Sequence, residues 1–244
     1  MAIDKKVLKK GFKEIGHVNN IISIRCKCHT KIGNLKATCI KSDEPIKFED
    51  LDQSKFVPIL KYQKWAKKFG CAWFHFTGKV ADKAKGTHVV CRLKLQGEGL
   101  VFGKDGYVIQ GVTQVLSKGD VFHSLIGKQV IDITRNAEGG EDIDFYVDAG
   151  FNGKLRFENL VARLRRFDIC IEHDDIIQYY YDYIDLFFLM LKLDETKERY
   201  KEISSILKQS FKVFKSQGAQ AARDVIAPYQ YKEGDYTNTK LYAI

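Results

Sequence analysis

Apolar positions near the start of the chain follow a helical rhythm. Ile3, Val7, Leu8, Phe12 and Ile15 share one face, with Lys5, Lys6, Lys9, Lys10 and Lys13 largely on the other. Gly16 is placed to end that helix. Residues 21–28 and 35–40 then read as short strands about a turn at 31–34. A second helical rhythm spans 56–69. Ile59, Tyr62, Ala66 and Phe69 form its apolar side, and Lys61, Lys64 and Lys68 its basic side. Pro58 is tolerable in the first turn and Gly70 stands just past the end.

Strand signals dominate from 71 to 148. Residues 71–80 and 87–95 read as a pair joined by a lysine-rich loop. Residues 100–102 and 107–116 flank Lys104-Asp105-Gly106, whose Asp-Gly suits a tight hairpin. Further strands are expected at 128–134, 142–147 and 167–172, with a short helix at 157–165. The last third is helical. Asp174 or Asp175 can cap a helix to about Leu193, and a second runs to Gln217, where Gly218 closes it. A third short helix ends before Pro228. The pattern predicts an α+β fold: a predominantly antiparallel, sandwich-like β core with basic N-terminal helices and a C-terminal helical hairpin. The expected divisions are a basic β-rich domain at 1–173, a helical subdomain at 174–228 and a polar tail at 229–244.

Composition adds charge to this picture. The 244 residues carry a net charge of +9, and residues 1–70 alone hold 16 basic and 7 acidic side chains. Residues 141–175 hold 5 basic and 9 acidic. Such asymmetry predicts a surface for polyanions. The longest apolar run, 176–191, contains Asp182 and Asp185, which argues against a membrane span. Asp175, Gln178, Asp182 and Asp185 make a polar stripe on that helix, and its other faces are apolar enough to require burial in the fold or in a homo-oligomer through helices 174–217. Six cysteines without a secretory leader pattern suggest an intracellular, reducing setting.

These features point to single-stranded nucleic acid, RNA before DNA. Lys5, Lys6, Lys9, Lys10, Lys13, Arg25, Lys27, Lys61, Lys64 and Lys68 would neutralise phosphates, while Trp65 and Trp73 stack on bases. Lysine rather than arginine favours backbone contacts over base readout. A basic amphipathic N-terminal helix would also suit an anionic membrane surface. No cofactor is expected. Cys26, Cys28, His29 and Cys39 carry zinc-type donors but lack a paired C-x₂-C spacing. The glycines at 97–103 miss both phosphate-loop spacings, and the six histidines are scattered.

Two resemblances sharpen the alternatives. Gly139-Gly140-Glu141-Asp142-Ile143-Asp144-Phe145 resembles the nucleotidyltransferase pattern, which implies a metal-dependent enzyme using Asp142, Asp144 and Asp168. The Gly-Ser turn of that family is replaced by Gly127-Lys128. The two strands about Thr77-Gly78 are similar to those of plant-virus movement proteins, with Arg92, Leu93 and Lys94 where that family has an aspartate. The expectation is therefore a non-enzymatic nucleic-acid-binding protein, virus-encoded and of nucleoprotein or movement type. Its alternatives are the nucleotidyltransferase and an oligomeric assembly protein.

Overall fold

The computed structural model describes residues 13–113, 129–152 and 161–228. The chain divides into two compact units: His29–Glu172, and Met1–Cys28 with His173–Ile244. Residues 13–28 thus group with the C-terminal helices, not with the strands. Residues 3–12 of the helix expected over 3–15, with lysines 5, 6, 9 and 10, the end of the strand at 107–116, Gly127-Lys128 and the tail all lie outside the described residues.

The His29–Glu172 unit is built of strands. They are β1 His29–Asn34, β2 Lys36–Ser42, β3 Val57–Pro58, β4 Lys64–Lys67, β5 Cys71–Lys79 and β6 His88–Lys94. There follow β7 Glu98–Gly103, β8 Val108–Val112, β9 Val130–Thr134, β10 Asp142–Gly150, β11 Val161–Arg163 and β12 Arg166–Glu172. A six-stranded sheet has the order β3-β2-β5-β10-β7-β8, a four-stranded sheet the order β1-β12-β6-β9, and β11 pairs with β4. Every neighbouring pair is antiparallel. The unit is a sandwich, and together with the helices the chain is α+β.

Period-two alternation divides each strand between core and exterior. Ala37 and Cys39 of β2, Phe74 and Phe76 of β5, and Phe145 and Val147 of β10 enter one shared core with Val89, Cys91 and Leu93 of β6 and Ile169 of β12. The chain repeatedly passes between these two sheets: β1 to β2, β5 to β6, β6 to β7, β8 to β9 and β9 to β10. At the first change only Leu35 separates the strands. It is buried, and its N–H donates to the Phe167 carbonyl at 3.0 Å. Gly78 makes room for it, since a Cβ there would stand 3.0 Å from Leu35 Cδ2 and 3.2 Å from Ile169 Cδ1. The β7–β8 hairpin turns at Gly106, whose φ of +82° glycine adopts without steric cost.

Three expectations are corrected. Strands 71–80 and 87–95 form, but as β5 and β6 in opposite sheets, not as a pair. The expected helix over 56–69 is β3, a loop and β4. Pro58 sits on an edge strand, where a missing donor is tolerated. Tyr62 and Phe69, two of its supposed core residues, are 53% and 62% exposed, in left-handed conformations. Residues 161–163 of the helix expected at 157–165 are strand β11; 157–160 lie outside the described residues.

The other unit is helical: α1 Ile15–Lys27, α2 Asp174–Lys192, α3 Glu198–Gln217 and α4 Ala219–Ile226. Residues 21–27, read as strand, are helix here. His17, Ile21, Ile24 and Cys28 are buried at spacings of four, three and four. Gly16 stands in the first turn of α1 rather than ending a helix. On α2 the Tyr179, Tyr183 and Phe187 rings are buried, and Asp182 pairs with Arg223 of α4 at 2.6 Å. No described helix is long and apolar enough to cross a membrane.

Buried polar groups tie these helices together. His17 Nδ1 lies 2.8 Å from the Tyr183 hydroxyl and Nε2 lies 3.0 Å from Ser204 Oγ. Burial lowers the His17 pKa from 6.5 to about 4, against a smaller opposing pull from Glu14. Below pH 6.5 the unfolded chain takes up a proton that the folded chain refuses. Stability present above pH 6.5 is therefore lost as the pH falls to about 4, by roughly 3 kcal/mol in total. Urea unfolding followed by helical circular dichroism should show this decline, and His17→Gln should flatten it.

Candidate functional site

The outer face of the six-stranded sheet follows directly from its inner one. With Phe74 and Phe76 turned into the core, Trp73, His75 and Thr77 of β5 point outward. Register sets Asp148, Tyr146 and Asp144 of β10 opposite them, and Ile40, Thr38 and Lys36 of β2 on the other side. Leu100 and Phe102 of β7 extend the face.

The connection between β2 and β3 folds over this face. Phe48 stacks on Phe102 with centroids 5.7 Å apart, and meets Trp73 and Tyr146 edge-on at 5.7 and 5.5 Å. Phe56 sets its edge against His75 and Tyr146, both at 5.9 Å. The Trp73 indole donates to the Ile46 carbonyl at 2.9 Å, and the Tyr146 hydroxyl to Gln53 Oε1 at 3.2 Å. Two short 3₁₀ turns, Phe48–Asp50 and Gln53–Lys55, give the connection its shape. The Asp52 side chain accepts from the Ser54 N–H at the second.

Polar groups stand at the edge of this aromatic floor. His75 Nε2 lies 2.8 Å from Asp144 Oδ1. The His75 and Tyr146 rings stack 4.2 Å apart at 4°. Burial, then the nearby Asp144 charge, push the Tyr146 hydroxyl pKa up, and burial raises that of Asp148. Asp144 remains exposed and presents its carboxylate to solvent beside a half-buried imidazole. An exposed acceptor, an imidazole and ring edges side by side can hold a polyhydroxylated ligand. Carboxylate and imidazole bond hydroxyls, while ring surfaces take C–H groups.

The described residues expected to bind nucleic acid are divided between the two units. Trp65 and Trp73 are each 3% exposed, and their indoles are bonded to backbone carbonyls of Leu95 and Ile46. Neither offers a face to a base. Lys13, Arg25 and Lys27 belong to the helical unit, where Lys13 reaches Glu195 at 4.0 Å and Lys27 lies over the Phe214 ring. Lys61 and Lys68 sit over Tyr62 and Phe69 on loops, and Lys64 begins β4. Nor do the acids of the nucleotidyltransferase pattern converge. Asp142 and Asp144 lie on β10, paired with Lys79 and His75, while Asp168 lies on β12 in the other sheet, held by Lys31 and Arg166. The zinc-type donors separate too: the Cys28 thiol donates to the Ile24 carbonyl, Cys39 enters the β core, Cys26 is exposed, and His29 bonds Glu172.

Comparison with known proteins agrees with the sandwich. A family model described as the alpha-mannosidase jelly roll domain matches residues 32–170. The chain belongs to this family. The match covers nearly all of the β unit, and it overturns the reading as a viral nucleic-acid-binding protein. No curated protein sequence gives a significant match. One solved structure, CBM51-2 in complex with GlcNAc and INT domains of ZmpB from Clostridium perfringens, is similar at 8% identity and a TM-score of 0.20, over 82% of this chain. The likeness spans 42% of that structure, and so low a score adds nothing to the family match.

The sequence reading missed His75, Tyr146 and Phe56 as site residues, and weighed Asp144 only as a metal ligand. Alternation along β10, with acids and a tyrosine at every second position, was the available signal. In this jelly roll domain Tyr146→Phe should keep the ring stack and lose the bond to Gln53, at about 1 kcal/mol. Tyr146→Ala removes a buried ring and should cost about 3–5 kcal/mol in urea unfolding.

Proposed function

We propose that this chain is the jelly roll module of an alpha-mannosidase-type protein, and that it binds carbohydrate on the outer face of its six-stranded sheet. The family match over residues 32–170 carries this reading. It supplies the chemical class, and the outer face supplies a place of matching chemistry. Asp144 accepts from a pair of sugar hydroxyls, His75 bonds a third, and Phe56 offers an apolar surface to the sugar ring's C–H groups. Gln53 lies beside them at a position open to solvent. The rigid floor of Tyr146, Phe48 and Trp73 holds these groups in place before the ligand arrives, which reduces the ordering cost of binding.

The module acts here by binding. Asp144 and His75 bond each other across one strand pair, and the next outward carboxylate of β10, Asp148, lies half-buried opposite Trp73. Nuclear magnetic resonance titration of the full chain with neutral mannose oligosaccharides tests the reading. The Trp73 indole resonance should shift. Asp144→Ala should weaken binding by roughly ten- to a hundredfold, the loss expected for a charged acceptor. An unmoved Trp73 resonance, or an Asp144→Ala variant that binds as tightly as the native chain, would overturn it.

A further inference from the structure

A separate cleft of about 370 Å³ opens where β2 ends and β5 begins, beside the β4–β11 pair. Its lining includes Lys41, Lys64 and Lys67, all exposed. Lysines 64 and 67 would fall on opposite faces of a regular strand. A bulge in the β4–β11 register, where Lys64 and Trp65 together oppose Arg163, prevents this. Trp65 and Ala66 both turn inward, and both lysines turn out to the cleft. Lys41 reaches across from β2 and donates to the Lys64 carbonyl at 2.8 Å, which fixes its ammonium at the cleft wall.

The wall is rigid elsewhere too. The 67–70 turn closes with the Gly70 N–H on the Lys67 carbonyl at 2.9 Å, and the Phe69 N–H donates to Phe151 at 2.7 Å. Phe69 holds a φ of +67° there, a conformation that bulky residues rarely adopt and that recurs at ligand sites. A side chain at Gly70 would press on Ala66 Cβ and the Lys67 carbonyl, both 3.1 Å away. Among the described residues, one acidic group, Asp43, lines the cleft against three lysines. Cys71 also lines it, and burial, aided by Asp148, Glu44 and Asp43, raises its thiol pKa, so it adds no negative charge at neutral pH.

We propose that this cleft binds a phosphomonoester dianion. Among the described lining residues three lysines stand against one carboxylate, an excess of positive charge that suits a dianion, and lysine serves phosphate as a mobile point charge. Either a phosphorylated sugar or free inorganic phosphate can supply that dianion. The sugar source rests on the carbohydrate reading above; the anion site does not.

The chain's two tryptophans make the test specific, because Trp65 lines this cleft and Trp73 lies under the outer face of the six-stranded sheet. The full chain is titrated in turn with a mannose phosphomonoester, inorganic phosphate and neutral mannose, with both indole resonances followed. Expected is a shift of Trp65 with the phosphate probes and none with neutral mannose. Added salt should weaken the binding. The double variant Lys64→Gln/Lys67→Gln should bind about tenfold or more weaker, with the Trp73 resonance unchanged as evidence of an intact fold. Tighter binding of the ester assigns the sugar as source, and equal binding assigns free phosphate. An unmoved Trp65 resonance with both phosphate probes, or a double variant that binds like the native chain, overturns the proposal. Failure of the carbohydrate reading would register at Trp73 with the neutral oligosaccharide instead, so the two failures are distinguishable.

Discussion

Phe74 and Phe76 set the register of β5, and the rest of the β unit follows from that register. Their rings stack within the core with centroids 5.7 Å apart at 11°. Trp65 meets Phe74 edge-on at 5.4 Å, and Phe145 tilts against Phe76 at 5.4 Å. A slip of one residue would drive Trp73 and His75 inward and turn both phenylalanines to solvent, a loss no local contact could offset. The same alternation that buries the phenylalanines therefore fixes which side chains are left for function. His75 is outward because Phe74 and Phe76 are inward.

That outward face would be too apolar to leave bare. Trp73, Tyr146, Phe102 and Leu100 stand on it together, and the β2–β3 connection answers by laying Phe48 and Phe56 across them. Covering the rings costs ordering entropy in the connection, which the ring contacts and the bonds to Ile46 and Gln53 offset. What remains uncovered is the polar margin. Asp144 and His75 sit where the aromatic floor ends, so rigidity and accessibility meet at one place.

Much of this was legible locally. The Asp105-Gly106 turn, the alternation through 71–79 and 142–150, and the heavily apolar helix from Asp174 all lie where the pattern places them. The failures have a common physical source. At 64–67 a bulge buries two consecutive residues, Trp65 and Ala66, and so imitates the spacing of a helix. At 15–27 an isoleucine-rich helix with two buried isoleucines three apart passes for alternating strand. Pairings between distant residues were out of reach altogether. His75 meets Asp144 across 69 positions, and only the β5–β10 register brings them together.

The charge asymmetry misled for a related reason. Residues 1–28 hold 7 basic and 2 acidic side chains, and residues 29–70 hold 9 and 5. Read along the chain, these are one basic block. In the fold the described members of the first group, Lys13, Arg25 and Lys27 among them, belong to the helical unit, and the second group belongs to the β unit. Adjacency in sequence therefore does not amount to membership of one unit. Within the β unit the lysines divide again: Lys61 and Lys68 rest over exposed aromatic rings, while Lys41, Lys64 and Lys67 line one cleft. A linear polyanion needs many dispersed contacts along a track, whereas three ammonium groups around about 370 Å³ suit a compact charge. The bulge that disguised β4 as a helix is the same feature that gathers two of those lysines on one side.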